Sequence, residues 1–178
     1  MTPKIEKAIE LAIEYHKGQK RKGDGNTPYI VHPVSVAMLL YRYCHDEDVI
    51  IAAILHDMLE DTDCSPGMIR KLFGSRVLSL VKGVSDKRPN DAWATRKIAY
   101  LKHLKSASKG ACLIACADKI HNLESLLAAY ERSGEAIWKR FSAPKEDKVS
   151  FYEDVYKAVN VRFKHPIVLH LGKVIRNT

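Results

Sequence analysis

The stretch Val49-Ile-Ile-Ala-Ala-Ile-Leu-His-Asp-Met-Leu-Glu-Asp61 joins an apolar run to one imidazole and three carboxylates. At helical spacing, His56 lies four residues before Glu60, and Asp57 lies four before Asp61. One end of a core helix would therefore present all four groups to a common space. Burial of such groups is costly unless a metal ion or a partner satisfies them. The stretch thus predicts a hydrolytic metal centre with acid/base groups beside it.

Helical signals dominate on both sides of this stretch. Thr2-Pro3 and Ser65-Pro66 each place an N-cap residue before a proline, and Gly74 can end a helix. No segment alternates with period two. Helices are predicted at about 3–17, from 32 onward, 47–59, 66–73, 75–82, 90–104, 110–127 and 145–164. We therefore predict an all-α, single-domain helical bundle over 1–178, with a motif-bearing core at about 5–130 and a C-terminal helical part at about 131–178.

Composition restricts the class of protein. Hydrophobic residues make up 46% and charged residues 28% of the 178 positions, which is typical of a globular chain. The apolar runs are too short to span a bilayer. The polar first residues offer no apolar h-region, so we expect no signal peptide. We expect a cytoplasmic protein with no membrane partner. The four cysteines form no Cys-x-x-Cys pair, which favours reduced core thiols over a metal or redox role.

A net charge of +8 indicates an anionic partner. Nucleic acid and a phosphorylated small molecule both fit that charge. The basic residues are scattered, however, and no zinc finger or aromatic RNA-binding signature accompanies them. A polyphosphate ligand explains the charge at least as well as DNA does, so we do not expect a nucleic-acid partner.

Three separated places supply metal-ligand residue types on otherwise apolar elements. They are His32, the pair His56-Asp57, and Asp118. Two imidazoles and two carboxylates form a mixed nitrogen and oxygen set that suits Mn²⁺, Fe²⁺ or Zn²⁺. Such a set would leave coordination positions open for water and for a phosphate oxygen.

The order His, His-Asp, Asp resembles the HD phosphohydrolase superfamily. The full set of sequence motifs is similar to that of the hydrolase domain of the Rel/Spo alarmone enzymes and of their small single-domain relatives, including metazoan ones. The matching pieces, in the family's order, are His16-x-Gly-Gln19, Arg21-Lys22, Pro28-Tyr-Ile-Val-His-Pro33, Ala53-Ile-Leu-His-Asp-Met-Leu-Glu-Asp-Thr62, Phe73-Gly74, Leu80-Val-Lys-Gly-Val-Ser85, Arg96-Lys97 and Ala117-Asp-Lys-Ile-His-Asn-Leu123.

This resemblance implies a fold of the HD phosphohydrolase type and one divalent cation, usually Mn²⁺. It implies hydrolysis of the 3′-pyrophosphate of ppGpp or pppGpp to GDP or GTP and pyrophosphate, so the partner is a guanosine polyphosphate nucleotide. Glu60 would orient the attacking water as a base, with Asp61 supporting it or the 3′ oxygen. The metal ligands implied are His32, His56, Asp57 and Asp118.

The resemblance also implies nucleotide contacts. Arg96 and Lys97 would meet phosphates by charge-assisted hydrogen bonds. The other implied contacts are Arg21, Lys22, Asn122, Lys148 and Tyr152. Two places differ from the family's sequence motifs: Glu124 stands where arginine is common, and Ser85-Asp86 replaces a Thr-Lys pair. Because of these differences, the sequence does not decide which nucleotide is the substrate.

Two other functions remain open at this point. One is a related nucleotide phosphohydrolase, such as an NADPH 2′-phosphatase or a 5′-nucleotidase. The other is a nucleotide-sensing module that binds without turnover, against which the presence of both Glu60 and Asp61 argues. A homo-oligomer is also left open. His16 and His121 are expected to be structural histidines, and Trp93 a packing aromatic.

Overall fold

The computed structural model describes residues 2–21, 26–85, 91–140 and 143–177. Its helices are α1 (Pro3–Tyr15), α2 (Val31–Tyr41), α3 (Glu47–Ile54), α4 (Met58–Asp61), α5 (Pro66–Val84), α6 (Trp93–Leu104), α7 (Lys109–Ser133), α8 (Lys145–Asn160) and α9 (Pro166–Arg176), with a 3₁₀ segment at Gly134–Arg140. The described ranges contain no strand, only an isolated antiparallel bridge between Lys20 and Pro28. The predicted all-α class is confirmed.

The long helix α7 lies at the centre of the bundle and packs against α2, α3, α5, α8 and α9. Ile114 and Ile120 of α7 are fully buried, as are Leu40 of α2, Ile51 of α3 and Ile167 of α9. Burial of each such side chain contributes about 1.5–3 kcal/mol. One apolar core therefore holds together the helices that carry the candidate site residues. The assignment of 1–178 to one domain stays a prediction.

The two predicted cap-and-proline helix starts are present. The Thr2 hydroxyl accepts from the Ile5 N–H (3.4 Å) at α1, and the Ser65 hydroxyl accepts from the Met68 N–H (3.2 Å) at α5. The predicted helix at 145–164 ends earlier, at Asn160, and α9 was missed. His165 caps α9 through its ring nitrogen, a cap residue that the usual rules do not favour. The helix predicted over 90–104 begins later, at Trp93, with Ala92 as its N-cap, and Asn90 lies outside the described residues.

The prediction of one helix over 47–59 was wrong. The helix α3 ends at Ile54, a turn covers 55–57, and α4 begins at Met58. The His56 ring nitrogen Nδ1 hydrogen-bonds the Ala53 carbonyl oxygen at 2.7 Å. In a continuous helix the Ala53 carbonyl would accept from the Asp57 N–H. The His56 side chain therefore competes with a backbone hydrogen bond of the helix. The break therefore lies at the two residues that carry the candidate ligands.

Gly74 breaks α5 into the two segments that the sequence predicted. Its φ of 92° and ψ of 171° belong to a region that is almost restricted to glycine. An added Cβ would meet nothing within 4 Å, so Gly74→Ala should carry only the backbone strain. We expect a loss of about 1–3 kcal/mol in the free energy of unfolding, measured by urea denaturation.

The matched control is Gly67→Ala in the same helix. Its added Cβ would lie 3.7 Å from the Ser65 hydroxyl oxygen, an ordinary contact. We expect this variant to be neutral or slightly stabilising. Equal destabilisation by both substitutions would contradict a special role for the Gly74 backbone.

Two further expectations concern cysteines and membranes. All four cysteines are free, and Cys64, Cys112 and Cys116 are buried, which agrees with reduced core thiols. Within the described part of the chain, no helix combines the length and the apolar character needed to cross a bilayer.

Candidate metal centre and substrate cleft

Three elements bring the four predicted ligands to one point. His32 lies in the first turn of α2, where the following Pro33 is tolerated, and His56 and Asp57 lie in the turn after α3. Asp118 projects from the middle of α7. The Nε2 atom of His32 lies 3.2 Å from Asp118 Oδ1 and 3.5 Å from Asp57 Oδ2. The Nε2 atom of His56 lies 3.1 Å from Asp57 Oδ2 and 3.8 Å from Asp118 Oδ1.

The hydrogen bonds behind the centre orient both imidazoles. Because a carbonyl oxygen only accepts, the contact to Ala53 places the proton of neutral His56 on Nδ1 and directs the Nε2 lone pair to the centre. The Nδ1 of His32 lies 2.9 Å from the Nδ1 of His121, so one of the two donates to the other. This contact gives His121 the structural role expected from the sequence.

The residues present fit a divalent cation. The Nε2 atom of His56 is buried and has no hydrogen-bond partner in the described part of the chain, which is rare for a buried polar atom. One ligand atom each from His32, His56 and Asp118 lies within 4.8 Å of the others, and all three residues are buried. A metal ion would satisfy the imidazole nitrogen and both carboxylates at once.

The electrostatics of the centre also favour a cation. Burial lowers the pKa of His32. Burial alone would likewise lower the pKa of His56, but the carboxylates of Asp57 and Asp118 raise it well above the ordinary value. Burial alone would raise the pKa of both carboxyl groups, yet the charge of His56 holds the pKa of Asp57 below its usual range. Lys119 does the same for Asp118. Both carboxylates therefore stay ionised and available to a cation.

The acidic pair Glu60 and Asp61 lies in α4, next to the centre, and both side chains line the adjoining cleft. The Tyr29 hydroxyl lies 2.6 Å from Asp57 Oδ2 and 3.0 Å from Asp61 Oδ2, so it bridges a candidate ligand and the acidic pair. The Gln19 amide donates to the Asp61 carbonyl oxygen at 2.8 Å. These contacts hold α4 in place relative to the candidate ligands.

Tyr29 and Gln19 were not predicted to be functional residues, although both belong to the sequence motifs quoted above. The Tyr29 N–H donates to the Gln19 carbonyl oxygen at 2.9 Å, so the two side chains leave the same short loop together. The expected structural histidine His16 contacts both residues. Its Nδ1 lies 2.7 Å from Gln19 Oε1, and its ring centre lies 4.8 Å from that of Tyr29. No signal in the sequence marks either residue, because tyrosine and glutamine are ordinary in a polar loop.

Tyr29→Phe should lower kcat or the affinity for metal by about 10- to 100-fold, because it removes the hydroxyl that orients Asp57 and Asp61. The measurement is kcat over a metal titration, which separates the two effects. The control is Tyr43→Phe, which removes a hydroxyl that lies 3.0 Å from His170 Nδ1, outside the cleft. If both variants behave alike, the Tyr29 bridge has no role in the reaction.

A cleft of about 980 Å³ opens beside the centre. Its lining includes His32, Glu60 and Asp61 from the candidate centre. It also includes six of the seven predicted substrate-binding residues: Arg21, Arg96, Lys97, Asn122, Lys148 and Tyr152. The seventh, Lys22, lies outside the described residues. Three basic residues of the lining were not predicted: Lys20, Lys119 and Arg132.

Contacts inside the cleft connect these residues to the centre. An Arg21 guanidinium nitrogen donates to Asn122 Oδ1 at 2.9 Å, and the Asn122 amide in turn donates to Asp118 Oδ1. Arg96 Nη1 lies 3.9 Å from Glu60 Oε1. Trp93 packs edge-on against Phe151 with ring centres 6.1 Å apart, as expected of a packing aromatic, but it also lines the cleft.

Comparison with known proteins gives three further findings. A family model described as HD domain matches residues 8–147. The guanosine-3′,5′-bis(diphosphate) 3′-pyrophosphohydrolase MESH1 of Danio rerio is 38% identical over 120 residues, which cover 66% of this chain and 66% of that protein. The guanosine-3′,5′-bis(diphosphate) 3′-pyrophosphohydrolase of Aquifex aeolicus is 36% identical over 137 residues, 76% of this chain but 19% of that protein.

A solved structure extends the similarity to the whole fold. It is that of a metazoan ortholog of SpoT described as hydrolysing ppGpp, and it is 30% identical with a TM-score of 0.82. The match covers 99% of this chain and 96% of the other.

Proposed function

This chain belongs to the HD domain family, and we propose that it is a metal-dependent hydrolase of the 3′-pyrophosphate of ppGpp and pppGpp. The observation that carries the proposal is the cluster of His32, His56 and Asp118, with Asp57 in contact with both imidazoles, at one end of a cleft with many basic side chains. The relatives from Danio rerio and Aquifex aeolicus bear the name of this activity.

We propose His32, His56, Asp57 and Asp118 as the ligands of one divalent cation. A mixed nitrogen and oxygen donor set suits Mn²⁺, Fe²⁺ or Zn²⁺. The resemblance to the Rel/Spo hydrolases favours Mn²⁺, which we infer as the working metal. When bound, such an ion lowers the pKa of a bound water and stabilises charge on phosphate oxygens. The hydrogen bond from His56 to Ala53 and the pairing of His32 with His121 would keep both rings aimed at the ion.

Glu60 is the proposed base. In the reaction the oxygen of water forms a bond to the phosphorus next to the 3′ oxygen, and the bond between that phosphorus and the 3′ oxygen breaks. Glu60 would take one proton from the water. Asp61, held by Tyr29 and by the Gln19 amide, would support Glu60 or donate the proton that the 3′ oxygen needs. The products are GDP or GTP and pyrophosphate.

The basic side chains of the cleft would bind the anionic substrate. Arg21 and Asn122 are joined by a hydrogen bond and lie beside the ligand Asp118, so they are proposed to contact the nucleotide near the reacting end. Arg96 is placed beside Glu60 and would meet the pyrophosphate. Lys97, Lys148 and Tyr152 complete the proposed contacts, and Lys22 is retained with them on the resemblance alone.

A direct test separates the alternatives. The Mn²⁺-loaded protein is incubated separately with ppGpp, NADPH and deoxynucleoside monophosphates, and the products are identified by anion-exchange chromatography. We expect GDP and pyrophosphate from ppGpp. Phosphate release from the other substrates with intact ppGpp would replace the proposal by a related phosphohydrolase. Tight binding of ppGpp without product over hours would indicate a sensor. The cytoplasmic location stays a prediction, and the homo-oligomer stays open.

A further inference from the structure

One face of α7 continues well past the candidate metal centre. Asp118, Asn122, Ser125, Ala129 and Arg132 follow one another at alternating spacings of four and three residues, so they share one face of the helix. The last four of them line the cleft. From Asp118 to Arg132 the helix rises about 21 Å at about 1.5 Å per residue. The cleft is therefore much longer than the site that holds the candidate ligands.

The helix α8 forms the opposite wall and runs antiparallel to α7. At its start, the Lys145 ammonium lies 5.2 Å from the ring centre of Tyr130, near the end of α7. Further along, Phe151 has the Lys119 ammonium 5.7 Å from its ring centre, next to Asp118. Lys148 lies between these two points and lines the cleft. It therefore faces the middle of the cleft, between the metal centre and Arg132.

A separate apolar cluster supports the half of the cleft that is remote from the metal centre. Leu126, Ala129 and Ile137 form its buried part, and Tyr130 and Trp138 pack against it. Leu126 and Ala129 also line the cleft. Because Ile137 belongs to the 3₁₀ segment, that segment packs against this part of α7 and stabilises its position. The remote half is thus a packed wall of the bundle.

We propose that this remote half binds the 5′-phosphates of the nucleotide through Arg132 and Lys148, an inference that rests on the proposed function. The substrate carries phosphate groups on both sides of its ribose, so a site that accepts it needs cationic groups at both ends. At the near end these are the metal and Arg96. At the far end Arg132 is exposed and makes no ion pair with another described residue.

The direction of the Arg132 side chain favours this assignment. Side chains on a helix lean toward its N-terminus, so the guanidinium of Arg132 covers the preceding turn. That turn carries Ala128 and Ala129, whose small side chains leave space over the cleft floor. A guanidinium offers two parallel N–H groups to phosphate oxygens, and Lys148 adds a second positive charge from the facing helix.

The test compares four substrates that differ only in the 5′ group: guanosine 3′-diphosphate, pGpp, ppGpp and pppGpp. For Arg132→Gln we expect KM to rise about 3- to 30-fold for ppGpp and pppGpp, with kcat unchanged. KM for guanosine 3′-diphosphate should not change. Lys148→Gln should also raise KM, and more for ppGpp and pppGpp than for guanosine 3′-diphosphate. Arg132→Lys should fall between wild type and Arg132→Gln, because lysine keeps the charge but lacks the two parallel N–H groups of the guanidinium.

The matched control is Arg176→Gln, which removes the same charge from the exposed end of α9, outside the cleft. It should leave every KM unchanged, and far-UV circular dichroism checks the fold of each variant. An Arg132→Gln effect that is equal for all four substrates, or absent, overturns the subsite while the proposed hydrolase stands. If the wild-type protein cleaves none of the four, the proposed function fails and the subsite fails with it.

Discussion

Glu60→Gln is expected to lower kcat for ppGpp by about 10²- to 10⁴-fold, the usual contribution of one general acid/base group. Glutamine matches the size of glutamate but cannot take a proton from water. Glu60 is not among the proposed ligands, and its side chain is 24% exposed at the cleft beside Arg96. The variant should therefore keep its metal, which is measured by elemental analysis after gel filtration alongside the kinetic assay.

Glu10→Gln serves as the control for Glu60→Gln. It makes the same substitution at an exposed position of α1, outside the cleft, and should retain full activity. A fully active Glu60→Gln enzyme would remove Glu60 from the mechanism. Loss of metal from this variant would instead place Glu60 among the ligands.

Asp118→Asn is expected to lose bound metal and activity together. The substitution replaces an anionic ligand by a neutral amide at an atom that lies 3.2 Å from His32 Nε2. Groups that only hydrogen-bond a metal ligand typically contribute about 10- to 100-fold to metal affinity. Loss of a ligand itself should therefore weaken metal binding by more than about 10²-fold. Metal titration followed by calorimetry measures the affinity, and ppGpp hydrolysis measures the activity.

Asp118 also hydrogen-bonds Lys119, so Asp118→Asn leaves an ammonium group poorly paired and could lower stability. His56→Ala provides a second variant that leaves this pair intact and should show the same joint loss. Glu124→Gln is the control on the same helix, since its side chain is 51% exposed. Retention of stoichiometric metal by both Asp118→Asn and His56→Ala would contradict the proposed ligand set.

Local chemistry was sufficient to predict most helix starts and the break at Gly74. An N-cap hydroxyl followed by proline acts within one turn, as at Thr2 and Ser65, and a positive φ is a property of one residue. The start of α9 follows the same logic with His165 as cap, but histidine is seldom used there. The turn at 55–57 depends on a side chain competing for a backbone carbonyl, which hydrophobic periodicity does not reveal.

In the candidate site, too, some residues could be predicted from local chemistry and others could not. His32, His56, Asp57 and Asp118 could be selected because imidazoles and carboxylates on apolar elements need a partner. Tyr29 and Gln19 could not, because a tyrosine or glutamine in a polar loop is ordinary. Their contacts to Asp57 and Asp61 exist only once the loop before α2 lies against α4.

By itself, the sequence determined the helical class, the residue types of a metal centre and the positive charge with which the protein would meet an anionic partner. These properties depend on composition and short-range spacing. Only the tertiary structure decided that the ligand side chains meet and that the cleft extends along α7 as far as Arg132. The physical reason is packing: α7 is held against α2, α3 and α8 by a shared apolar core, and that core sets which polar side chains face each other.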